Sequence, residues 1–197
     1  MSRVNAIVIG GSAGALDVLE QVLPQLRPGF AVPVVIAVHL LPTRPSVLAA
    51  LLGAWCPLPV SEADDKEPLS PGHVYVAAPN YHLLVERDHS FSLSVDEPVH
   101  FSRPSIDVLF ESAAEAYRDR LLGVLLSGAN EDGVCGMRAI AAAGGRTVVQ
   151  SPESSREALM PRAALAAMRP DEVLNPSRIG EAMAHLAGGL RNVEATR

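Results

Sequence analysis

The chain has 197 residues, 48% of them hydrophobic and 19% charged, which excludes wholesale disorder and suits one folded domain with a real core. Its formal net charge of −6 comes without any basic stripe, so a nucleic-acid footprint is excluded as well. No apolar run reaches the ~18–20 residues of a membrane helix. The first residues lead straight into a strand pattern, with no basic segment and no cleavage site of a secretory signal. Two cysteines, Cys56 and Cys135, are too few for a disulfide scaffold and lack metal-ligand spacing, and both read as reduced, half-buried small hydrophobes. The expectation is a soluble, cytoplasmic protein.

Val4–Ile9 is a continuous apolar run rich in β-branched residues, the pattern of a strand buried on both faces. It breaks at Gly10-Gly11-Ser12-Ala13-Gly14, after which Leu16, Leu19, Val22 and Leu23 recur at helical spacing until Pro24. Val32–Val38 is a second buried run. Thr43 and Pro45 then offer helix-start chemistry for a segment through Ala54, and Leu58–Ala63 is a weaker third strand. In the middle, Val74–Ala77, Leu83–Arg87 and Phe91–Val95 alternate apolar and polar positions, and Asp88-His89-Ser90 can turn the last two into a hairpin.

The α/β alternation then resumes. Ile106, Leu109, Phe110, Ala113, Ala114 and Tyr117 form a helical stripe introduced by Ser102 and Pro104. Leu121–Leu126 is another buried strand, followed by a polar glycine-containing loop at 127–133 and a helix ending at Gly144-Gly145. Arg146–Gln150 is a short strand, Met160–Ala167 a helix, Val173–Leu174 a last strand, and Asn175-Pro176 opens a final helix fading at Gly188-Gly189. Strands separated by helices imply right-handed parallel crossovers. The fold class expected is therefore α/β: a doubly wound, mainly parallel sheet flanked by helices, with an antiparallel hairpin insertion at one edge. One domain spans residues 1–190, with a tail at 191–197.

In such a sheet ligands bind beyond the carboxyl ends of the strands. Those ends carry Ser12 after the first strand, His39 after the second and Asp132 after the late central one. A serine needs a base to become nucleophilic, and the base needs a carboxylate to fix its tautomer. Ser12 also lies in a glycine-rich turn at a helix start, where the Ala13 N–H could hold an oxyanion. On local sequence alone, other readings stand beside this one. Ser12 could be a helix cap, or the Gly10–Gly14 turn could cradle a phosphate, although it lacks the P-loop lysine. His39 could be structural, Asp132 could cap the helix after Gly133, and Glu131 is an alternative carboxylate. No pair of acids at helical spacing near a histidine points to a metal, and no cofactor is called for.

Together, GGSAG after the first strand, VHLLP after the second, RPSIDVLF opening a helix and LLSGANEDGVCGM after a late strand resemble the catalytic domain of the chemotaxis protein-glutamate methylesterase family. PGHVYVAAPNYHLLVE and MPRAALAA extend the likeness from Val4 to about Met183 in collinear order. The resemblance implies that Ser12 is the nucleophile, His39 the general base and Asp132 its orienting carboxylate, with the amides of Ala13 and Ala129 as oxyanion donors. It implies hydrolysis of glutamate γ-methyl esters on methyl-accepting chemotaxis receptors, releasing methanol, and deamidation of certain receptor glutamines.

Three departures accompany the likeness. Ser12-Ala13-Gly14-Ala15 stands where the family usually has Ser-Thr-Gly-Gly, Ala129 replaces a methionine, and Leu40-Leu41 shift the proline after the histidine by one. A catalytically weak or inactive module that binds receptors or signalling partners is therefore the alternative. A nucleotide-binding protein using the Gly10–Gly14 loop is a third. The family's N-terminal receiver domain has no counterpart before Val4, so the expectation is either constitutive activity or restraint by a separate regulatory protein. Arg44 and Arg103 are candidates for a local basic patch facing an acidic receptor segment, with solvated surface charge as the plainer account.

Overall fold

The computed structural model describes residues 3–39 and 47–188. Nine strands and six α-helices are found among them. Seven strands form one fully parallel sheet: β1 (Ala6–Gly11), β2 (Val34–Val38), β3 (Val60–Glu62), β4 (Val74–Val76), β7 (Leu121–Leu125), β8 (Arg146–Gln150) and β9 (Glu172–Leu174). Their spatial order is β3-β4-β2-β1-β7-β8-β9. The remaining two, β5 (His82–Val85) and β6 (Phe91–Ser94), pair antiparallel as a separate two-stranded sheet.

The near-continuous apolar runs have a simple cause: the sheet is covered on both faces. In β1, Ile7 and Ile9 enter one core while Ala6 and Val8 enter the other, and β2 splits likewise into Val34, Ile36 and Val38 against Val35 and Ala37. The first core is closed by α1 (Ala15–Val22), α2 (Leu48–Trp55) and α6 (Pro176–Leu186) through residues such as Leu19, Leu52 and Met183. The second is closed by α3 (Ile106–Tyr117), α4 (Val134–Ala142) and α5 (Leu159–Ala167), with the hairpin residues Leu83, Val85 and Phe91. Burial at these positions, at roughly 25 cal/mol per Å² of apolar surface, drives the assembly.

The doubly wound expectation holds, and the middle segment divides. Val74–Ala77 does not belong with the hairpin. Its first three residues form β4, parallel to both β2 and β3. All four of its residues are buried, so its apparent alternation reflected residue types and not exposure. The α3 stripe begins one step later than its introducing residues implied. The N-cap is Ser105, whose hydroxyl accepts from Val108 N at 3.4 Å, not Ser102 or Pro104. Neither cysteine is half-buried as expected: Cys56 is buried and Cys135 exposed. Thr43, Arg44 and Pro45 lie outside the described residues, as does the tail at 191–197.

The chain runs leftward from β1 to β2 and beyond, then rightward from β1 through β7, β8 and β9. Such a reversal of strand order opens a crevice at the carboxyl ends of the central strands. Helices α3 and α4 pack closely beside it because Gly136 has no side chain. A Cβ there would collide with Phe110 Cβ and come 3.3 Å from the Asp107 Cα. Gly136→Ala is therefore expected to destabilise the fold by ~1–3 kcal/mol in urea or thermal unfolding, the cost of overpacking a close contact.

Candidate active site

Ser12 and His39 each stand one residue beyond a paired strand end. Gly11 of β1 is in register with Val38 of β2, and the His39 amide donates to the Gly11 carbonyl at 3.3 Å. Parallel pairing thus sets the two side chains side by side. Both line one cavity of about 370 Å³, together with Ala13, Gly14, Leu16, Asp17, Val38 and Arg156. The third residue arrives from the loop after β7. His39 Nε2 and Asp132 Oδ2 are 2.7 Å apart, with the histidine side chain 12% exposed and the aspartate fully buried.

The carboxylate is held by far more than the imidazole. Asp132 Oδ2 accepts the Ile106 amide at 2.7 Å, while Oδ1 accepts the Asp107 amide at 3.0 Å and the Ser105 hydroxyl at 2.8 Å. These donors are the N-cap and first residues of α3, so a buried anion occupies the positive end of a helix. Burial alone would push this carboxyl up. The hydrogen bonds from His39, Asp107, Ile106 and Ser105 together outweigh it and hold Asp132 below the usual carboxylate value. Ionised Asp132 accepts the Nε2–H of His39, which fixes the tautomer and leaves Nδ1 with the free lone pair.

Ser105 is itself steered. Its backbone N–H donates to His82 Nδ1 at 3.2 Å, while His82 Nε2 donates to the Glu97 carbonyl at 3.1 Å. Neither Ser105 nor His82 stands out as functional in the sequence. A serine immediately before an apolar stripe is a legible N-cap signal, but nothing local marks its second partner, 27 positions away.

The nucleophile turn is clamped by residues that follow β7. Ser12 N donates to the Ser127 carbonyl at 2.9 Å. Ser127 Oγ reaches the Ala13 carbonyl at 2.8 Å and accepts the Glu157 amide at 2.9 Å. Ser127 N in turn donates to Gln150 Oε1 at 2.8 Å. The N-cap of α1 is Gly14, at φ 82°, with no side-chain cap bond, so Ser12 is not a helix cap. Gly133 caps α4 in the same left-handed way, so Asp132 does not cap α4. Glu131 is exposed, which leaves Asp132 as the carboxylate that meets His39.

Ala13 and Ala129 are exposed, and their backbone N–H groups have no hydrogen-bond partner among the described residues. Arg103 is committed elsewhere, to the carbonyls of Val95 at 2.7 Å and Asp96 at 3.0 Å. Among the described residues no cluster of three or more His, Cys, Asp or Glu is placed to hold a metal ion, and no helix is long and apolar enough to cross a membrane.

The family described as CheB methylesterase matches residues 7–183. The chain belongs to the CheB methylesterase family. A Leptospira interrogans relative named "Putative protein-glutamate methylesterase/protein-glutamine glutaminase" is 48% identical over 176 residues, covering 89% of this chain and 91% of its own length. The Bordetella pertussis protein-glutamate methylesterase/protein-glutamine glutaminase is 37% identical over 184 residues, 91% of this chain but 52% of that longer protein. The crystal structure of the Thermotoga maritima CheB methylesterase catalytic domain superposes with a TM-score of 0.89 at 29% identity, over 94% of this chain and 100% of that one. The family's fold is thus the fold described above.

A second acid near the site behaves oppositely to Asp132. Burial pushes Asp107 up to about 6, the neighbouring Asp132 and Glu111 add to the rise, and the Gly136 amide and His100 oppose it. Folded protein therefore holds this proton more tightly than unfolded chain. Between pH ~4 and ~6, rising pH should cost on the order of 2 kcal/mol of stability. Asp107→Asn retains an acceptor for Gly136 N, bonded at 2.7 Å. Urea unfolding from pH 4 to 7 should show that decline in the parent protein and a flat profile in the variant.

Proposed function

We propose that this protein hydrolyses γ-methyl esters of glutamate side chains on a protein substrate by a Ser12-His39-Asp132 mechanism, releasing methanol, and that the same site deamidates glutamine. The observation that carries the reading is the 2.7 Å His39–Asp132 contact at the end of β2, in a cavity shared with Ser12 on the adjacent strand. Membership of the family supports the reaction, and the names of the Leptospira and Bordetella relatives support the pair of activities.

Ser12 Oγ attacks the ester carbonyl carbon as His39 Nδ1 takes its proton. Asp132 stays ionised and stabilises the imidazolium through Nε2–H. The Ala13 and Ala129 amides, unpartnered among the described residues, are the donors for the developing oxyanion, and one such donor is typically worth ~10²–10³ in rate. Collapse expels the methoxy group, which takes the proton from His39 and leaves as methanol. Water then attacks the Ser12 glutamyl ester with His39 again as base, releasing the carboxylic acid and restoring the serine. With a glutamine substrate the leaving group is ammonia.

On this reading the protein is cytoplasmic and its substrate is a methyl-accepting chemotaxis receptor. Methanol release from methyl-labelled receptor membranes tests it. Release by the parent protein should vanish with Ser12→Ala, and Asp132→Asn should lower turnover by ~10³–10⁴ on the serine-hydrolase template. Persistent release from Ser12→Ala would remove Ser12 as nucleophile, and absence of release from both proteins across several receptors would leave a binding module.

A further inference from the structure

Arg156 stands at the site without a task in the reaction just described. It lines the Ser12 and His39 cavity, and no other arginine or lysine does so among the described residues. Its position is fixed from the backbone. Its neighbour Glu157 is bonded through its amide to Ser127 Oγ at 2.9 Å, and through its carbonyl to Gly128 N at 3.0 Å. Ser127 Oγ in turn reaches the Ala13 carbonyl, so the arginine is tied to the nucleophile turn by two hydrogen bonds in series. The stem lies across Gly14, where a Cβ would stand 2.8 Å from Arg156 Cβ and 3.5 Å from its Cδ.

The charged end is nearly idle. Its one partner among the described residues is Asp17, at 3.4 Å, in a pair whose side chains are 74% and 64% exposed. An ion pair that open contributes little to stability. A guanidinium offers five donors in a planar fork suited to carboxylate, and this one uses a single long contact. The backbone has thus placed a loosely held cation at the rim of the cavity, in a chain whose net charge is −6. The reacting ester or amide is uncharged, so the cation addresses some other part of the substrate.

We propose that Arg156 is a substrate-binding residue that docks a carboxylate, from an aspartate or glutamate flanking the side chain that enters the cavity. Asp17 occupies the guanidinium until that carboxylate replaces it. This specificity role rests on reading the site as one that takes a glutamate ester or glutamine side chain from a protein. The reactive centre selects the chemistry, and Arg156 selects acidic neighbourhoods.

The test uses two peptides carrying one glutamate γ-methyl ester, identical except that flanking glutamates in one are glutamines in the other. Hydrolysis is measured for the parent protein, Arg156→Ala and Asp17→Asn. Binding of both peptides is measured separately by fluorescence anisotropy in a Ser12→Ala background, with and without Arg156→Ala. Arg156→Ala should raise KM and Kd for the acidic peptide by about 10-fold, with kcat and the neutral peptide unchanged. Asp17→Asn should tighten the acidic peptide alone. Equal losses on both peptides, a fall confined to kcat, or no change would overturn the assignment. If Arg156→Ala disturbs the loop, seen as a lowered Tm, Arg156→Gln replaces it under the same criteria. Should neither peptide be hydrolysed while the Ser12→Ala protein still distinguishes them through Arg156, the docking role stands and the esterase reading falls.

Discussion

A buried anion organises this end of the molecule. The Asp132 carboxylate has no contact with solvent, yet it stays ionised because two amides and a hydroxyl at the start of α3 converge on it with the His39 ring. An unpaired carboxylate in that position would be far too costly to keep charged. The helix end that satisfies it comes from 25 to 27 residues earlier in the chain, so the loop after β7 and the start of α3 fix one another. His39 then inherits its orientation from a group that cannot turn.

The opposite side of the crevice is built with different means. Among the described residues no charge anchors the nucleophile turn. It is held by neutral hydrogen bonds running from Ser12 N and the Ala13 carbonyl through Ser127 to Glu157 and Gln150. Sheet register does the rest, since pairing of Gly11 with Val38 leaves the next residue on each strand projecting into the same space. The division suits the chemistry. The basic partner requires electrostatic support as its charge changes, whereas the nucleophile requires only position and nearby amides that remain unoccupied.

Much of this was legible in the sequence because long buried runs cannot easily be anything but central strands. Val4–Ile9, Val32–Val38 and Leu121–Leu126 located β1, β2 and β7, and with them the three residues at their ends. Short elements were harder. β4 has only three residues, and Tyr75 within it mimics an amphipathic pattern while its hydroxyl bonds locally to Ser70 N and the Pro68 carbonyl. The supporting residues were harder still. Ser105, His82 and Ser127 act through partners distant in sequence, and their residue types are common at helix starts and in turns. Local pattern reveals which side chain reaches a strand end, and tertiary contact decides which neighbours hold it there.

The two helices beside the crevice exchange carboxylates. Asp132, just ahead of α4, is bound by the first amides of α3, while Asp107 in the first turn of α3 is bound by Gly136 N in the first turn of α4. Each helix is thus the other's cap. A fluctuation that frays one first turn removes a hydrogen-bond partner from the other, so the two helix starts are coupled. The aim of the imidazole consequently depends on both first turns, because Asp132 is held by one of them. A change that loosens the α3–α4 contact there lowers the fraction of molecules in which the base is aimed.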